Sequence, residues 1–340
     1  MLEFPINFLT DSVTDMSQMF SNCSSIKDLN LANFCTSSVT KMSKMFYQCF
    51  SLETLDISNF NTNHIEDMNN MFAECDRIKK LNLSNFYTYN LVNMNCMFFE
   101  CKSLTELYIN NFNTMNITDM TSLFEGCSSI EYLDISNFNT SMVNKMNKMF
   151  YKCYNLIDIN FGNINTLNVT TMEKMFSGCA NLKRLNIKNF NTSKVTTMKG
   201  MFEECKKLES LDLSNFNTDN AISMDHMFSS CSNIKEIKGI NFTGKNVKYM
   251  VCMFKSCISL KLLNLSNLNT SAVVDMSNMF SDCTSLSYLN ISKFDLRNVK
   301  YIKSMFNNCS SLENINLPNY KIENVLDMQD LFFECTALKS

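Results

Sequence analysis

Apolar residues recur along this chain with a period of 26 residues, and their spacing changes within each period. The unit reads V-x-x-M-x-x-M-F-x-x-C-x-x-L-x-x-L-x-L-S-N-F-N-T over residues 39–62. Its first part has apolar steps of three, three, one and three, which place on one face of a helix Val39, Met42, Met45, Phe46 and Cys49. The next apolar pair, Leu55 and Ile57, is two residues apart, which predicts a short strand with one inward side.

Polar residues mark the ends of these two elements. Thr36 or Ser38 stands where a helix N-cap belongs, and Ser58-Asn59 ends the strand. A unit of helix, turn, strand and loop cannot bury its apolar side alone, so successive units must stack. We therefore expect an α/β right-handed solenoid with a parallel sheet on one face and short helices on the other. Strands about 4.8 Å apart would make it on the order of 60 Å long.

Cysteine shows that the period is strict, with no insertion or deletion. One cysteine per repeat falls at intervals of 26, at Cys23, Cys49, Cys75, Cys101, Cys127, Cys153, Cys179, Cys205, Cys231, Cys257, Cys283, Cys309 and Cys335. We call this set the cysteine column. About twelve nearly complete repeats and a partial one at the C-terminus predict a single solenoid domain over residues 1–340, without separate caps.

The run C-x-x-L-x-x-L-x-L followed by N resembles the leucine-rich repeat. The whole unit, with its VxxMxxMFxxC and LSNFNT segments, resembles the repeats of BspA-like bacterial surface proteins, over residues 7–340. The resemblance implies a leucine-rich-repeat-like fold and a non-catalytic binding protein at the cell surface or secreted. It carries no catalytic residues to transfer.

The recurring cysteines and methionines are better explained by packing in the core than by metal binding or disulfide formation. The cysteine column contains no C-x-x-C pair and the chain has only His64 and His226, so we expect core thiols and neither metal sites nor disulfides. Two methionines per repeat are replaced in places by Leu123, Ile302 and Leu331, which have no donor atom, so these positions are core and not ligands.

Two other observations concern particular positions of the repeat. An asparagine follows the strand in almost every repeat, from Asn33 to Asn319 with a break at Lys293, and we expect it to hydrogen-bond backbone groups of the turn. Cys96 and Cys252 share a slot expected to face solvent. Sequence drift or a reactive thiol would explain them, and drift is the simpler explanation.

Charge and hydropathy limit the partners. A net charge of −3 over 340 residues gives no general attraction to nucleic acid or acidic lipid. No apolar run is long enough to span a bilayer, and residues 1–15 do not read as a signal peptide, so the chain alone does not indicate its location. No glycine-rich phosphate loop or histidine-based catalytic group occurs, so we expect neither enzyme activity nor a cofactor.

Two interruptions of a polar strip on the expected sheet face are candidate ligand contacts. Tyr108 should lie diagonally beside Tyr132, with Glu106 and Asp134 around them. Leu262 and Tyr288 share one slot in consecutive repeats and should be neighbours; they are the second candidate site. Aromatic anchors favour a protein or glycan ligand, although drift on an unconstrained surface also explains the four positions.

Two functional hypotheses follow. The leading one is a binding or adhesion module that uses the sheet face. The alternative is a structural scaffold whose copies associate end to end through uncapped repeats.

Overall fold

The computed structural model describes residues 4–5, 8–317 and 322–339. The chain divides into two compact units, unit 1 (Met1–Asn168) and unit 2 (Val169–Ser340), which we treat one at a time. The expected continuity of one solenoid over residues 1–340 stays a prediction. Of the asparagine column, Asn319 lies outside the described residues.

Each strand is three residues long and comes from the predicted place in its repeat. Unit 1 contains β1 (Asp28–Asn30), β2 (Thr54–Asp56), β3 (Lys80–Asn82), β4 (Glu106–Tyr108), β5 (Tyr132–Asp134) and β6 (Asp158–Asn160). Unit 2 contains β7 (Ser210–Asp212), β8 (Glu236–Lys238), β9 (Leu262–Asn264) and β10 (Tyr288–Asn290). In every strand the central Leu or Ile faces the core, because successive side chains of a strand alternate in direction.

The strands pair in parallel, as predicted, but two at a time. The pairs are β1–β2, β3–β4, β5–β6, β7–β8 and β9–β10. Residues that pair are 26 apart in the sequence, as Leu29 and Leu55 are. The repeat period therefore fixes the register, whereas the expectation of one continuous sheet is replaced by separate two-stranded ladders.

The predicted helices are wrong, since no helix occurs in the described ranges. The segment from Met42 to Cys49 is instead a series of tight turns, with the amide of Met45 donating to the carbonyl of Met42 and the amide of Cys49 to that of Phe46. Alternate amides donate to the next repeat: Met42 to Asp67 and Phe46 to Met71, both at 2.9 Å. Turns and helix bury the same apolar positions, so the spacing alone could not separate them.

Repeat spacing explains why turns replace helices. The rings of Phe46 and Phe72, equivalent residues of this segment, are stacked with centroids 5.6 Å apart. Packed helices need about 8–10 Å between axes. A chain that stacks its repeats this closely must use flat segments that hydrogen-bond from one repeat to the next. Two residues per repeat, Lys44 and Gln48 in this one, accordingly have a positive φ, of 55° and 58°.

The core of each unit consists of columns of identical side chains. The methionines of the repeat are buried, except Met19 and Met328 in the first and last repeats, which are exposed. The phenylalanines after them form continuous ring stacks, from Phe20 to Phe150 in unit 1 and from Phe176 to Phe332 in unit 2. Leu123 and Ile302, which replace methionines, are buried in the same way. The packing interpretation of the methionine positions is confirmed.

Polar columns run through the loops beside this core. The amide group of Asn59 donates to the carbonyls of Leu31 and Phe34 in the preceding repeat, at 3.1 and 2.9 Å, which confirms the predicted role of the asparagine column. Thr36 is not a helix cap: it is buried and its hydroxyl donates to the carbonyl of Asn61 in the following repeat. Both columns satisfy backbone groups that stacking removes from water.

The cysteine column lies in the core, as predicted. Eleven of its thirteen members are buried, and Cys23 and Cys335 are half-buried. Thiols of the column have backbone partners: that of Cys75 donates to the carbonyl of Phe46 at 3.2 Å. Burial raises the pKa of the Cys101 thiol to about 12.

Cys96 and Cys252 were expected to face solvent, but they do not. Cys252 is buried and Cys96 is half-buried. Both occupy a slot with positive φ, 53° and 56°, where the turn directs the side chain against the next repeat. Burial also raises the pKa of both thiols, which argues against special reactivity.

Candidate binding face

The outward residues of the strands form the face on which the sequence predicted a ligand. In β4 the central Leu107 points inward, so Glu106 and Tyr108 point outward and are exposed. The same alternation places Tyr132 and Asp134 outward in β5, Leu262 in β9 and Tyr288 in β10. All six candidate residues therefore lie on the outward side of strands.

Tyr108 interacts with charged groups and not with another aromatic ring. Its hydroxyl donates to Oε2 of Glu106 at 3.0 Å, and Nζ of Lys80 lies 5.3 Å from the ring centroid. Lys80 also forms an ion pair with Glu106 at 3.0 Å, because β3 and β4 pair in register. Hydrogen bonds from Lys80 and Tyr108 lower the pKa of the Glu106 carboxyl.

Tyr132 belongs to a different strand pair. It faces Asp158 of β6 in register, and no ring contact joins it to Tyr108 within the described residues. Oδ1 of Asp134 accepts the backbone amide of Ser136 at 2.8 Å, and hydrogen bonds from Ser136 lower the pKa of this carboxyl. The four residues of the first candidate site are thus divided between two strand pairs.

Leu262 and Tyr288 are brought together as predicted. They are register partners in the parallel pair β9–β10. Their relative exposures are 64% and 52%, so both present most of an apolar side chain to solvent. Equivalent slots of paired strands are adjacent in space, which makes this the better assembled of the two candidate sites.

A shallow groove of about 740 Å³ runs beside this pair, where β8 and β9 are not paired. Its lining includes the pair itself and Lys235, Glu236 and Lys261. Lys235 forms an ion pair with Glu209 at 3.1 Å. No carboxylate of the described chain is within ion-pair distance of Lys261, so this groove offers an uncompensated cation next to an apolar surface.

Sequence reasoning missed a second groove, in unit 1. A groove of about 700 Å³ lies between the unpaired strands β2 and β3, and most of the residues that line it are of polar type, including Thr54, Asp56, Arg77 and Lys79. No sequence signal marks which neighbouring strands leave a gap, because every repeat has the same apolar pattern.

Charge is divided unevenly between the two units, which the overall value of −3 conceals. Residues 1–168 contain 10 Lys and Arg against 17 Asp and Glu, a net charge of −7, and residues 169–340 contain 20 against 16, a net charge of +4. A count by halves of the sequence would have revealed this asymmetry.

Other kinds of site find no support in the described part of the chain. No group of three His, Cys, Asp or Glu side chains there is arranged to hold a metal ion. The same residues include no helix that is long and apolar enough to cross a membrane.

Comparison with solved structures shows the fold. A leucine-rich repeat protein from Bacteroides ovatus is similar over 95% of this chain and 81% of that chain, with a TM-score of 0.53 and 17% identity. A leucine-rich cell surface protein from Faecalibacterium prausnitzii covers 93% and 86%, with a TM-score of 0.43 and 17% identity. The likeness to the Bacteroides ovatus protein shows that the fold is a solenoid of leucine-rich-repeat type. Among curated proteins none matches the chain.

Comparison with protein families covers nearly the whole sequence. The family described as Mycoplasma protein of unknown function, DUF285, matches residues 6–84, 74–160, 154–262 and 232–340. The four matches overlap and follow the repeats without a break. The chain therefore belongs to the DUF285 family.

Proposed function

We propose that this protein is a non-catalytic binding module that holds a protein segment against the outward face of β8–β10. The observation that carries the proposal is the exposed pair Leu262 and Tyr288, side by side in register on paired strands. Large apolar and aromatic side chains contribute most to protein interfaces when they are clustered, whereas scattered ones are ordinary surface.

The surroundings of the pair define the ligand more closely. The groove beside it can accept an apolar side chain, and Lys261 next to the groove has no internal partner among the described residues. The complementary ligand is a peptide segment with an apolar or aromatic residue next to a carboxylate. A glycan is the alternative ligand, since a tyrosine face also stacks on a sugar ring.

The first candidate site, Tyr108, Tyr132, Glu106 and Asp134, is the weaker proposal. Tyr108 already interacts with Glu106 and Lys80, so a ligand would have to replace those contacts. Tyr132 has no such contact with a described side chain and can act as an isolated anchor.

Location at the cell surface or secretion rests on the resemblance to BspA-like proteins, and adhesion is the corresponding role. Protease treatment of intact cells tests it, because a surface protein is cleaved while an internal one is protected. End-to-end association of a scaffold stays a separate prediction.

Peptide selection tests the binding site with no assumption about the natural partner. A display library of random peptides is selected on the wild-type protein and then tested against a variant with Leu262→Asn and Tyr288→Asn. We expect at least about a tenfold loss of affinity, as for loss of an interface anchor. We also expect the selected peptides to be enriched in apolar residues beside Asp or Glu.

The matched control is Tyr154→Asn with Tyr249→Asn, which removes two exposed tyrosines outside both candidate sites. Peptides selected on the wild type should bind this control unchanged. Equal binding to the Leu262 and Tyr288 variant would show that the site is misplaced.

A further inference from the structure

Exposed apolar side chains form a line across four consecutive repeats of unit 1, on the loops that follow β3, β4, β5 and β6. Each repeat contributes one large side chain, namely Tyr89, Met115, Met142 and Leu167. These side chains are 47–57% exposed. We call the four residues the apolar line. None of them belongs to either candidate site on the strand face.

The equivalent loops of unit 2 have no such line. Tyr89, Met115 and Leu167 each stand three residues after the apolar core residue of the loop, and Met142 stands one residue further along. Three residues after the core residue, unit 2 has only polar or charged side chains: Ser193, Asp219, Lys245, Ser271, Arg297 and Glu323. A cluster of large exposed apolar side chains marks an interaction surface, whereas single ones are ordinary.

Met142 takes a place that has a structural use in the adjacent repeats. The side-chain amide of Asn116 donates to the carbonyl of Tyr89 at 3.2 Å, and that of Asn168 donates to the carbonyl of Ser141 at 2.8 Å. Met142 is the equivalent residue between these two asparagines and cannot donate such a bond. An asparagine at this position would therefore fit the fold, and the exposed methionine is not required by it.

No charged residue interrupts the line. The loop segments 86–92, 112–118, 138–144 and 164–168 contain no Asp, Glu, Lys, Arg or His. Residues 1–168 as a whole contain 10 Lys and Arg against 17 Asp and Glu, a net charge of −7. A partner complementary to the line is therefore uncharged and apolar where it touches these loops, and basic beside that contact.

The spacing of the line indicates the shape of the partner. Phe86 and Phe112, just before the line, stack with ring centroids 6.2 Å apart. Asp119 and Lys145, just after it, are bridged in parallel register, for which the strand spacing is about 4.8 Å. The three steps between four members therefore span about 14–19 Å. Three turns of an α-helix rise about 16 Å, whereas an extended strand with every second residue inward rises about 20 Å.

We propose that the apolar line binds a basic amphipathic helix of a partner protein. Four turns of that helix each place one apolar residue, at i, i+4, i+7 and i+11, against one member of the line. Met115 and Met142 have flexible side chains that adapt to small differences in spacing. Tyr87, whose ring stacks beside that of Tyr89 with centroids 6.4 Å apart, extends the line at one end. The contact does not involve the outward face of β8–β10, so it is tested separately from the peptide site proposed there.

Two synthetic peptides of identical composition test the proposal on the full chain. The first, of about 15 residues, has leucines at i, i+4, i+7 and i+11 among lysines and alanines, and the second has the same residues in an order that gathers the leucines on no single face. In fluorescence anisotropy the first peptide should bind at least about tenfold more tightly than the second. Equal affinities for the two peptides overturn the proposal.

A variant of the line locates the contact. Met115→Asn with Met142→Asn introduces the residue that neighbouring repeats have at these places, Asn63 and Asn116, so the fold should persist, as circular dichroism checks. Affinity for the first peptide should fall by at least about tenfold. The matched control, Phe50→Asn with Tyr154→Asn, changes two exposed side chains of the same unit outside the line and should keep the affinity within about twofold. An unchanged affinity of the line variant, or an equal loss in the control, overturns the proposal.

Two further measurements distinguish the helix from other occupants of the line. In sedimentation velocity the line variant should behave as the wild type does, and neither should pellet with phosphatidylcholine vesicles. A wild-type dimer that the line variant abolishes would mean that a second copy covers the line. Vesicle binding that the same variant abolishes would mean that a lipid surface does. Either result overturns the assignment of a helix.

Discussion

The interior columns and the outward strand face of this protein follow different rules. In the columns, one residue type recurs in nearly every repeat, and each member contacts its copies in the adjacent repeats, as the stacked rings of Phe46 and Phe72 do. On the face, adjacent strands carry residues as different as Lys80 and Glu106, or Leu262 and Tyr288.

This difference separates what makes the fold from what distinguishes one repeat from another. A column residue must fit above and below residues like itself, because its neighbours come from equivalent positions. A face residue has solvent on one side and is free to vary. Departures from the repeat are therefore informative on the face, where they create the apolar pair of Leu262 and Tyr288.

The largest expected effect concerns the chemistry of the cysteine column. Burial raises the pKa of Cys101 and of Cys231 from the ordinary 9.0 to about 12, so at pH 8 their thiolate fraction falls about a thousandfold. In the native protein a thiol reagent should modify only half-buried cysteines: Cys23, Cys35, Cys96 and Cys335.

Titration with a disulfide reagent before and after denaturation measures this. All 16 cysteines should react in the unfolded chain. Recovery of most column cysteines as disulfides from the native protein would contradict the core-thiol interpretation.

The second prediction compares two phenylalanines of one unit. Phe138 is 5% exposed, and its replacement by alanine should lower the free energy of unfolding by about 3–5 kcal/mol. Phe8 is 36% exposed, so Phe8→Ala should cost clearly less. Equal losses in denaturant titration would show that the columns are not packed repeat by repeat.

The 26-residue period of the sequence predicted those features of the fold that follow from stacking equivalent residues. Register, inward strand positions, buried methionines and the bonding of Asn59 all follow from stacking identical units. The segment from Met42 to Cys49 was predicted as a helix because turns and helices give similar apolar spacing. The distance between repeats, about 5.6 Å at Phe46, excludes packed helices. The strand spacing of about 4.8 Å expected from the sequence is just as short, so it was already in conflict with the predicted helices.

The candidate sites were predictable only where their residues share one slot of the repeat. Leu262 and Tyr288 share a slot, so the period alone brings them together. Tyr108 and Tyr132 lie in different slots, and their contact depended on β4 pairing with β5, whereas β4 pairs with β3. Every repeat has the same apolar pattern, so no residue pattern shows which neighbouring strands pair.

The third prediction uses the one glycine in the threonine column. Gly244 stands where neighbouring repeats have Thr218 and Thr270. A Cβ at Gly244 would lie 2.0 Å from the backbone oxygen of Thr218. Gly244→Ala and Gly244→Thr should therefore destabilise the protein by about 1–3 kcal/mol in denaturant titration, although the second change restores the repeat. Stabilisation by Gly244→Thr would mean that sequence regularity outweighs this local contact.

The last prediction compares an outward residue and a core residue of one strand, and the outward one has the smallest expected effect on stability. Leu262 and Leu263 are adjacent in β9, with relative exposures of 64% and 4%. Leu263→Ala removes a core side chain and should cost about 2–5 kcal/mol of unfolding free energy, whereas Leu262→Ala should change it by about 0.5 kcal/mol or less. Peptide binding should respond in the opposite order, because Leu262 presents most of its apolar side chain to solvent whereas Leu263 is almost fully buried. Unfolding free energy and peptide affinity are measured for both variants. Because both changes replace a leucine by alanine at adjacent positions, the comparison separates core packing from ligand recognition. A large loss of stability in Leu262→Ala would mean that this leucine is part of the core and that the proposed binding face has lost one of its two anchors.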